Sequence, residues 1–205
     1  MRWLTLPAMS LVLSLFSGCG ALSSLSEAGK ELDAYTLSPA SGPGDAPSGT
    51  RHLVVELPTS AGALGTDRIL IKPVPYQAQY LPDGRWSEPA PVLVQNLLVA
   101  SFQNQGGFRL VGRTGAGLMP DYTLMTELLE FQADPKDPES SAVTVKINMM
   151  MTLVRESDRR IVASRRFAAS QLVASDDTRA LVVGFDRAMQ TVLIEAVRWT
   201  TAEAR

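Results

Sequence analysis

The sequence holds one cysteine, Cys19, and one histidine, His52, in 205 residues. A single cysteine excludes an intrachain disulfide framework and any metal site built on paired cysteines. With a single histidine there is little from which to build a nucleophile and base pair. His52 opens a β-branched run, His52-Leu53-Val54-Val55, where a surface position at a strand start is the natural reading. The formal net charge is −2 and no block of Lys and Arg is present, so nothing electrostatic points to nucleic acid as a partner. No apolar run reaches the roughly 20 residues that a permanent membrane-spanning helix needs. Gly115-Ala116-Gly117 lacks the third glycine, the lysine and the following helix of a phosphate cradle, and reads as a loop. Alternation sends Glu127 and Glu130 to opposite faces of one strand, while Asp134 and Asp137 fall in a polar loop. No two carboxylates then share a buried face, and general acid and base work has no site. The expectation is a protein that is not an enzyme and uses no cofactor or metal.

What is present begins at the N-terminus. Arg2 precedes about a dozen mostly apolar residues, and Ser17 and Gly18 stand directly before Cys19. This resembles the signal of a bacterial lipoprotein, in which a peptidase cuts before the cysteine and acyl chains are attached to it. Phe16 holds the third position before the cysteine, where Leu is usual. The competing reading is an ordinary secretory signal followed by a free thiol. Read as a lipoprotein, residues 1–18 are removed and Cys19 is the lipidation site, with several acyl chains that hold the membrane durably. Gly20, in place of the Asp that retains such proteins in the inner membrane, points to the periplasmic face of the outer membrane of a Gram-negative bacterium.

Residues 19–50 are rich in Ser, Ala, Gly and Pro and read as a flexible tether, with Ala34-Tyr35-Thr36-Leu37 its one strand-like piece. Residues 51–205 read as a single periplasmic domain. Strands are expected at 52–57, 66–72, 77–81 and 108–111, with a tight turn at Pro82-Asp83-Gly84. An amphipathic helix capped by Ser87 is expected to run to Gly106-Gly107, with Val94, Leu97, Leu98 and Phe102 at helical spacing. The second half alternates through three long strands that form an antiparallel meander. A last helix capped near Asp176-Asp177-Thr178 carries the stripe Leu181, Phe185, Ala188, Met189, Val192, Ala196 and Trp199. The fold class is α+β: a two-layer sandwich, mostly antiparallel sheet, with two helices on one face.

Three groups of residues invite a surface role. Tyr80 and Trp86 flank the expected turn, either as interface anchors or as staples between helix and sheet. Arg159, Arg160, Arg165 and Arg166 form the one local basic cluster, either a charged edge that resists aggregation or a contact for an acidic partner surface or lipid headgroup. In Met149-Met150-Met151, alternation turns Met150 away from its neighbours, as core filling or as an adaptable surface.

The order of Cys19, Tyr35-Thr36-Leu37-Ser38-Pro39, Asp67-Arg68-Ile69, Tyr80-Leu81, Arg85-Trp86-Ser87-Glu88-Pro89 and Phe108-Arg109-Leu110-Val111 resembles the auxiliary lipoproteins of ABC-type transporters. These are outer-membrane lipoproteins encoded with MCE-domain (mammalian cell entry) proteins, similar to those of paraquat-inducible-type intermembrane transport systems. The resemblance implies a non-catalytic component of a system that moves lipid or another hydrophobic substrate across the periplasm, with an MCE-domain protein as its partner. Assembly with further copies of itself stays open. The alternative is a cell-envelope scaffold or assembly lipoprotein with no transport role.

Overall fold

The structure is a computed structural model and describes residues 31–41, 49–115, 117, 119–135 and 141–204. Cys19, the signal segment 1–18 and most of the expected tether lie outside the described residues. In chain order the strands before the first helix are β1 (Asp33–Tyr35), β2 (His52–Val55), β3 (Thr59–Ser60), β4 (Arg68–Ile71) and β5 (Gln79–Trp86). Helix α1 (Ala90–Gln105) follows, then β6 (Leu110–Arg113), β7 (Tyr122–Pro135), β8 (Val143–Arg155), β9 (Arg160–Val173) and helix α2 (Thr178–Glu203).

The alternating second half folds as its pattern demands: β7, β8 and β9 are a continuous antiparallel meander. On β8, Val143, Val145, Ile147, Met149, Met151 and Leu153 are buried, while Thr144, Lys146, Asn148, Met150 and Thr152 look the other way and stay half-buried. β7 departs from simple alternation at Leu129. Its register against β8 shifts between Leu128 and Glu130, so two residues of β7 oppose one of β8. This bulge reverses the phase of the strand. Leu124 and Leu128 before it and Phe131 and Ala133 after it all reach the same core. The expectation that Glu127 and Glu130 lie on opposite faces fails for the same reason, because the extra residue brings both to the face without helices. Asp134 likewise belongs to β7 and not to a loop.

Along its other edge β7 meets three short strands in succession, β2 at Tyr122–Leu124, β3 at Glu127 and Leu128, and β4 at Gln132 and Ala133, all parallel to it. β6 adds in parallel to β2, β5 antiparallel to β4, and β1 in parallel to β5. The sheet is therefore mixed, and the antiparallel expectation holds for the meander and for β4 with β5 only. Parallel pairing needs a crossover. For the parallel pair β2 and β6 the connecting chain holds β3, β4, β5 and α1.

The two helices pack on this sheet and on each other, α1 against β2 and β6, α2 against β8 and β9. Asp177 caps α2 by accepting from the backbone N–H groups of Arg179 and Ala180. α1 begins differently from expectation: Pro89 holds the cap position, no side chain caps the helix, and Ser87 lies outside it. Pro91 in the first turn needs no donor there, and Gly106 ends the helix at φ 71°. α1 is less amphipathic than its sequence suggests, since Gln95 and Ser101 are buried together with Leu93, Val94, Leu98 and Phe102.

The compact unit begins at Leu32, well before the expected boundary at Arg51. Leu37 and Ala40 are buried, and the backbone between them is held by both helices. Ser38 donates its N–H to Asp186 at 2.7 Å and accepts from Gln190 at 2.6 Å, both on α2. Ala40 donates to the Ser101 hydroxyl at 2.9 Å and accepts from Asn104 at 3.2 Å, both on α1. Residues 33–41 of the supposed tether are thus a strap across the two helices. Composition hid this, because backbone hydrogen bonds to helix side chains leave no compositional trace.

Candidate functional site

Each residue expected at a partner surface owes its place to its strand. The expected turn at Pro82-Asp83-Gly84 does not reverse the chain; the stretch lies inside β5, at an irregularity where Tyr80 faces Leu70 and Arg85 faces Arg68. Gly84 is needed there for close approach, since a Cβ would come within 2.8 Å of the Thr178 methyl and 3.0 Å of the Tyr35 ring. Trp86, at the inner end of this strand, has no exposed surface at all. Its ring packs on Phe131 at 5.2 Å and on Phe185 at 5.1 Å between centroids. Trp86 is therefore a core residue and no contact for a partner, which corrects the first of its two readings. Tyr80 remains on the surface, its hydroxyl donating to the Ala63 carbonyl at 3.2 Å and its ring 5.8 Å from the Arg68 guanidinium.

The arginines do not form one patch. Arg159 sits in the β8–β9 turn at φ 56° and pairs with Glu156 at 3.0 Å. Glu156 also accepts from the Thr123 hydroxyl at 2.5 Å, which ties the turn to β7. Arg160 is exposed at the first position of β9. Arg165 lies on the helix side, over the Phe167 ring at 5.0 Å and within 3.9 Å of Glu195 on α2. Arg166 is on the opposite face, beside Met150. Arg159 and Arg160 share the tip of the hairpin, and the pleat sends the other two apart. β9 pairs only with β8 and so carries these side chains along a free sheet edge.

Concavities accompany these elements. Where α2 starts, about 630 Å³ opens over Tyr35, Ile71 and Leu81, with Asp33, Asp83 and Asp176 at its rim. Between β9 and α2 lies a shallower one of about 590 Å³ beside Val173 and Gly184. On the sheet face without helices a trough of about 340 Å³ runs past Leu57, Met125, Met150 and Ile161. Met149 and Met151 fill the core while Met150 lines this trough, as the alternation of the methionine run implies. Sequence reasoning missed Leu57, Met125 and Ile161. Alternation alone placed Met125 and Met150 off the core, but only the register of β7 on β8, which sets Met125 opposite Thr152, makes them neighbours.

Over β7 and β8 the rest of that face is largely polar and internally paired. Lys146 contacts Asp134 at 2.8 Å, and the hydrogen bond and charge of that carboxylate raise the lysine pKa. Asn148 donates to Glu130 at 3.0 Å and Gln132 to Asp134 at 2.9 Å. Among the described residues, no three His, Cys, Asp or Glu side chains converge on a point where a metal ion would bind. Surfaces for docking are what this geometry offers.

A model of the family described as ABC-type transport auxiliary lipoprotein component matches residues 35–196. Among solved structures, a Xanthomonas campestris protein of the DUF330 family superposes with a TM-score of 0.73 at 28% identity, over 84% of this chain and 96% of that one. A second, described as an uncharacterized protein, gives a TM-score of 0.62 at 17% identity over 83% of this chain and 99% of that one, a likeness of fold alone. An uncharacterized protein of Bradyrhizobium diazoefficiens is 30% identical over 151 residues, which is 72% of this chain. The chain spans 39% of that relative's length.

Proposed function

The chain belongs to the ABC-type transport auxiliary lipoprotein component family, and on that premise we propose that it is a non-catalytic, lipid-anchored receiver for an MCE-domain protein at the outer membrane. The system it serves moves lipid or a similar hydrophobic substrate, with ATPase and permease on separate chains. The observation that carries this reading is the extent of the family match, which runs from the strap at Tyr35 to Ala196 on α2 and so takes in α1, most of α2 and every strand from β2 to β9.

Cys19 supplies the anchor. Fourteen residues lead from it to Asp33, and they reach at most about 46 Å at about 3.3 Å each. The folded unit then works close to its own membrane, and the partner must come to it. Cys19→Ser removes the acyl acceptor, so labelling with a clickable fatty acid is lost in the variant. Equal label on both proteins would remove the anchor from the proposal.

Contact with the partner is assigned to Tyr80, to Arg159 in the β8–β9 turn and to Arg160 and Arg165 on the free β9 edge. An arginine edge favours an acidic surface and speeds encounter in a way that salt weakens. The test is capture of the MCE-domain protein by the residue 19–205 chain, with Cys19→Ser to keep it soluble, at low and high salt. Substitution of the three arginines by Ser should weaken capture without lowering the melting temperature. Absence of capture by the unsubstituted chain would favour a cell-envelope scaffold instead.

A further inference from the structure

The uncovered face of the sheet has two unlike halves. Beyond the Leu129 bulge its polar groups satisfy one another, through Lys146 with Asp134, Asn148 with Glu130 and Gln132 with Asp134. That is how a face meant for water looks. On the other side of the bulge the trough gathers Leu57, Met125 and Ile161, which are 53%, 47% and 66% exposed, around the half-buried Met150. A contiguous exposed apolar patch is unusual on a solvated surface and marks contact sites, and two methionines give it side chains that adapt to a partner.

Charge within the trough is one-sided. Its lining includes the Glu56 and Glu127 carboxylates and no cation. Neither carboxylate has an ion pair or side-chain hydrogen bond among the described residues. The one hydroxyl pair there, Thr152 with Ser164, is already closed at 2.8 Å. Two free carboxylates beside apolar surface repel an anionic headgroup and attract ammonium or guanidinium groups.

Shape narrows the occupant further. The trough crosses from the β2–β3 segment over β7 and β8 to Ile161 on β9. Three strand spacings of about 4.8 Å make it about 14 Å long, the length of about ten helical residues at about 1.5 Å each. A sheet face offers no free backbone groups to an extended peptide, so the occupant must bind through a stripe of side chains, as a helix does.

We propose that this trough docks an amphipathic helix of a partner protein, about three turns long, whose apolar stripe is flanked by Lys or Arg over Glu56 and Glu127. The inference stands on the sheet and its charges and holds whatever the identity of the partner.

The test uses the residue 19–205 chain with Cys19→Ser and a fluorescent peptide of about 14 residues, with Leu at helical spacing and Lys on both flanks. Its counterpart carries Glu in place of each Lys. Anisotropy should show saturable binding of the Lys peptide and about tenfold or weaker binding of the Glu peptide. Met125→Asp and Ile161→Asp should each weaken the Lys peptide about tenfold or more, and Glu56→Gln with Glu127→Gln should erase the preference between peptides. Arg166→Ser, which removes the cation beside Met150, should not weaken it. Should an Asp variant melt early, Leu57→Asp replaces it at the opposite wall. Equal binding of the two peptides, or unchanged binding in the trough variants, overturns the proposal. So does Ile161-dependent capture of phosphatidylglycerol vesicles without peptide preference, which would make the face a membrane contact.

Discussion

The Trp86 indole meets the Phe185 ring edge to face, with centroids 5.1 Å apart and planes at 85°. Phe131 closes the triangle at 5.2 Å from the indole and 5.1 Å from Phe185. One residue each from β5, β7 and α2 thereby fixes the last helix on the sheet at a point where none of the three has exposed surface.

Phe185→Ala should cost about 3–5 kcal/mol, because it opens a cavity at this three-way contact. Trp86→Ala should fall in the same range. Their combined effect should be less than the sum, since the two rings line one cavity. Urea denaturation of the four proteins of the cycle measures both, and a Phe185→Ala cost below about 0.5 kcal/mol would contradict the packing.

Deletion of Leu129 removes the bulge. Phe131 and Ala133 would then face solvent and Glu130 and Gln132 the core, so the chain should fail to fold cooperatively. Leu129→Ala keeps the extra residue and should cost far less, because Leu129 is only half-buried. Thermal melts of the two variants compare register with side chain directly.

Chains that begin at Glu31 and at Arg51 should differ in stability. The shorter one loses the burial of Leu37 and Ala40, the β1 pairing and the hydrogen bonds with Asp186, Gln190, Ser101 and Asn104. A loss of about 2–5 kcal/mol follows from one buried leucine and a few net hydrogen bonds. Equal urea midpoints would show that the strap contributes nothing.

The Lys146 and Asp134 pair gives a pH dependence of known sign. Asp134 raises the lysine pKa above its ordinary value of about 10.4. The contribution is therefore complete below that value and is lost as pH climbs through the folded pKa. With side chains 42% and 20% exposed, the effect is below about 1 kcal/mol. Lys146→Met should remove this part of the alkaline decline, measured as the urea midpoint between about pH 9 and about pH 12.

Local pattern was enough for much of this molecule. The 13-residue β8 declares its buried face by strict alternation, and α2 declares its stripe by 3.6-residue spacing, because each side chain's direction follows from its neighbours along the chain. The antiparallel meander followed from the short turn at Glu156–Arg159. Family and fold class were legible at the same level, in motifs distributed from Tyr35 to Val111. What stayed hidden depends on contacts between distant segments. Pro82-Asp83-Gly84 has the composition of a turn, yet it is an irregular stretch inside β5, with Gly84 paired to Asp33 of β1 and the β4 pairing made at Tyr80 and Arg85 on either side of it. Leu129 looks like any residue of an alternating strand, and only the demand that Leu128 and Phe131 both reach one core makes it a bulge. The strap at residues 33–41 is ordered by side chains that lie about 60 to 150 residues further on. The choice between anchor and staple for Trp86 fell to the core, and Met125 was set beside Met150 and Ile161, by the same cause: strand register is decided when the sheet assembles, and the sequence of one strand does not contain the offset of the next.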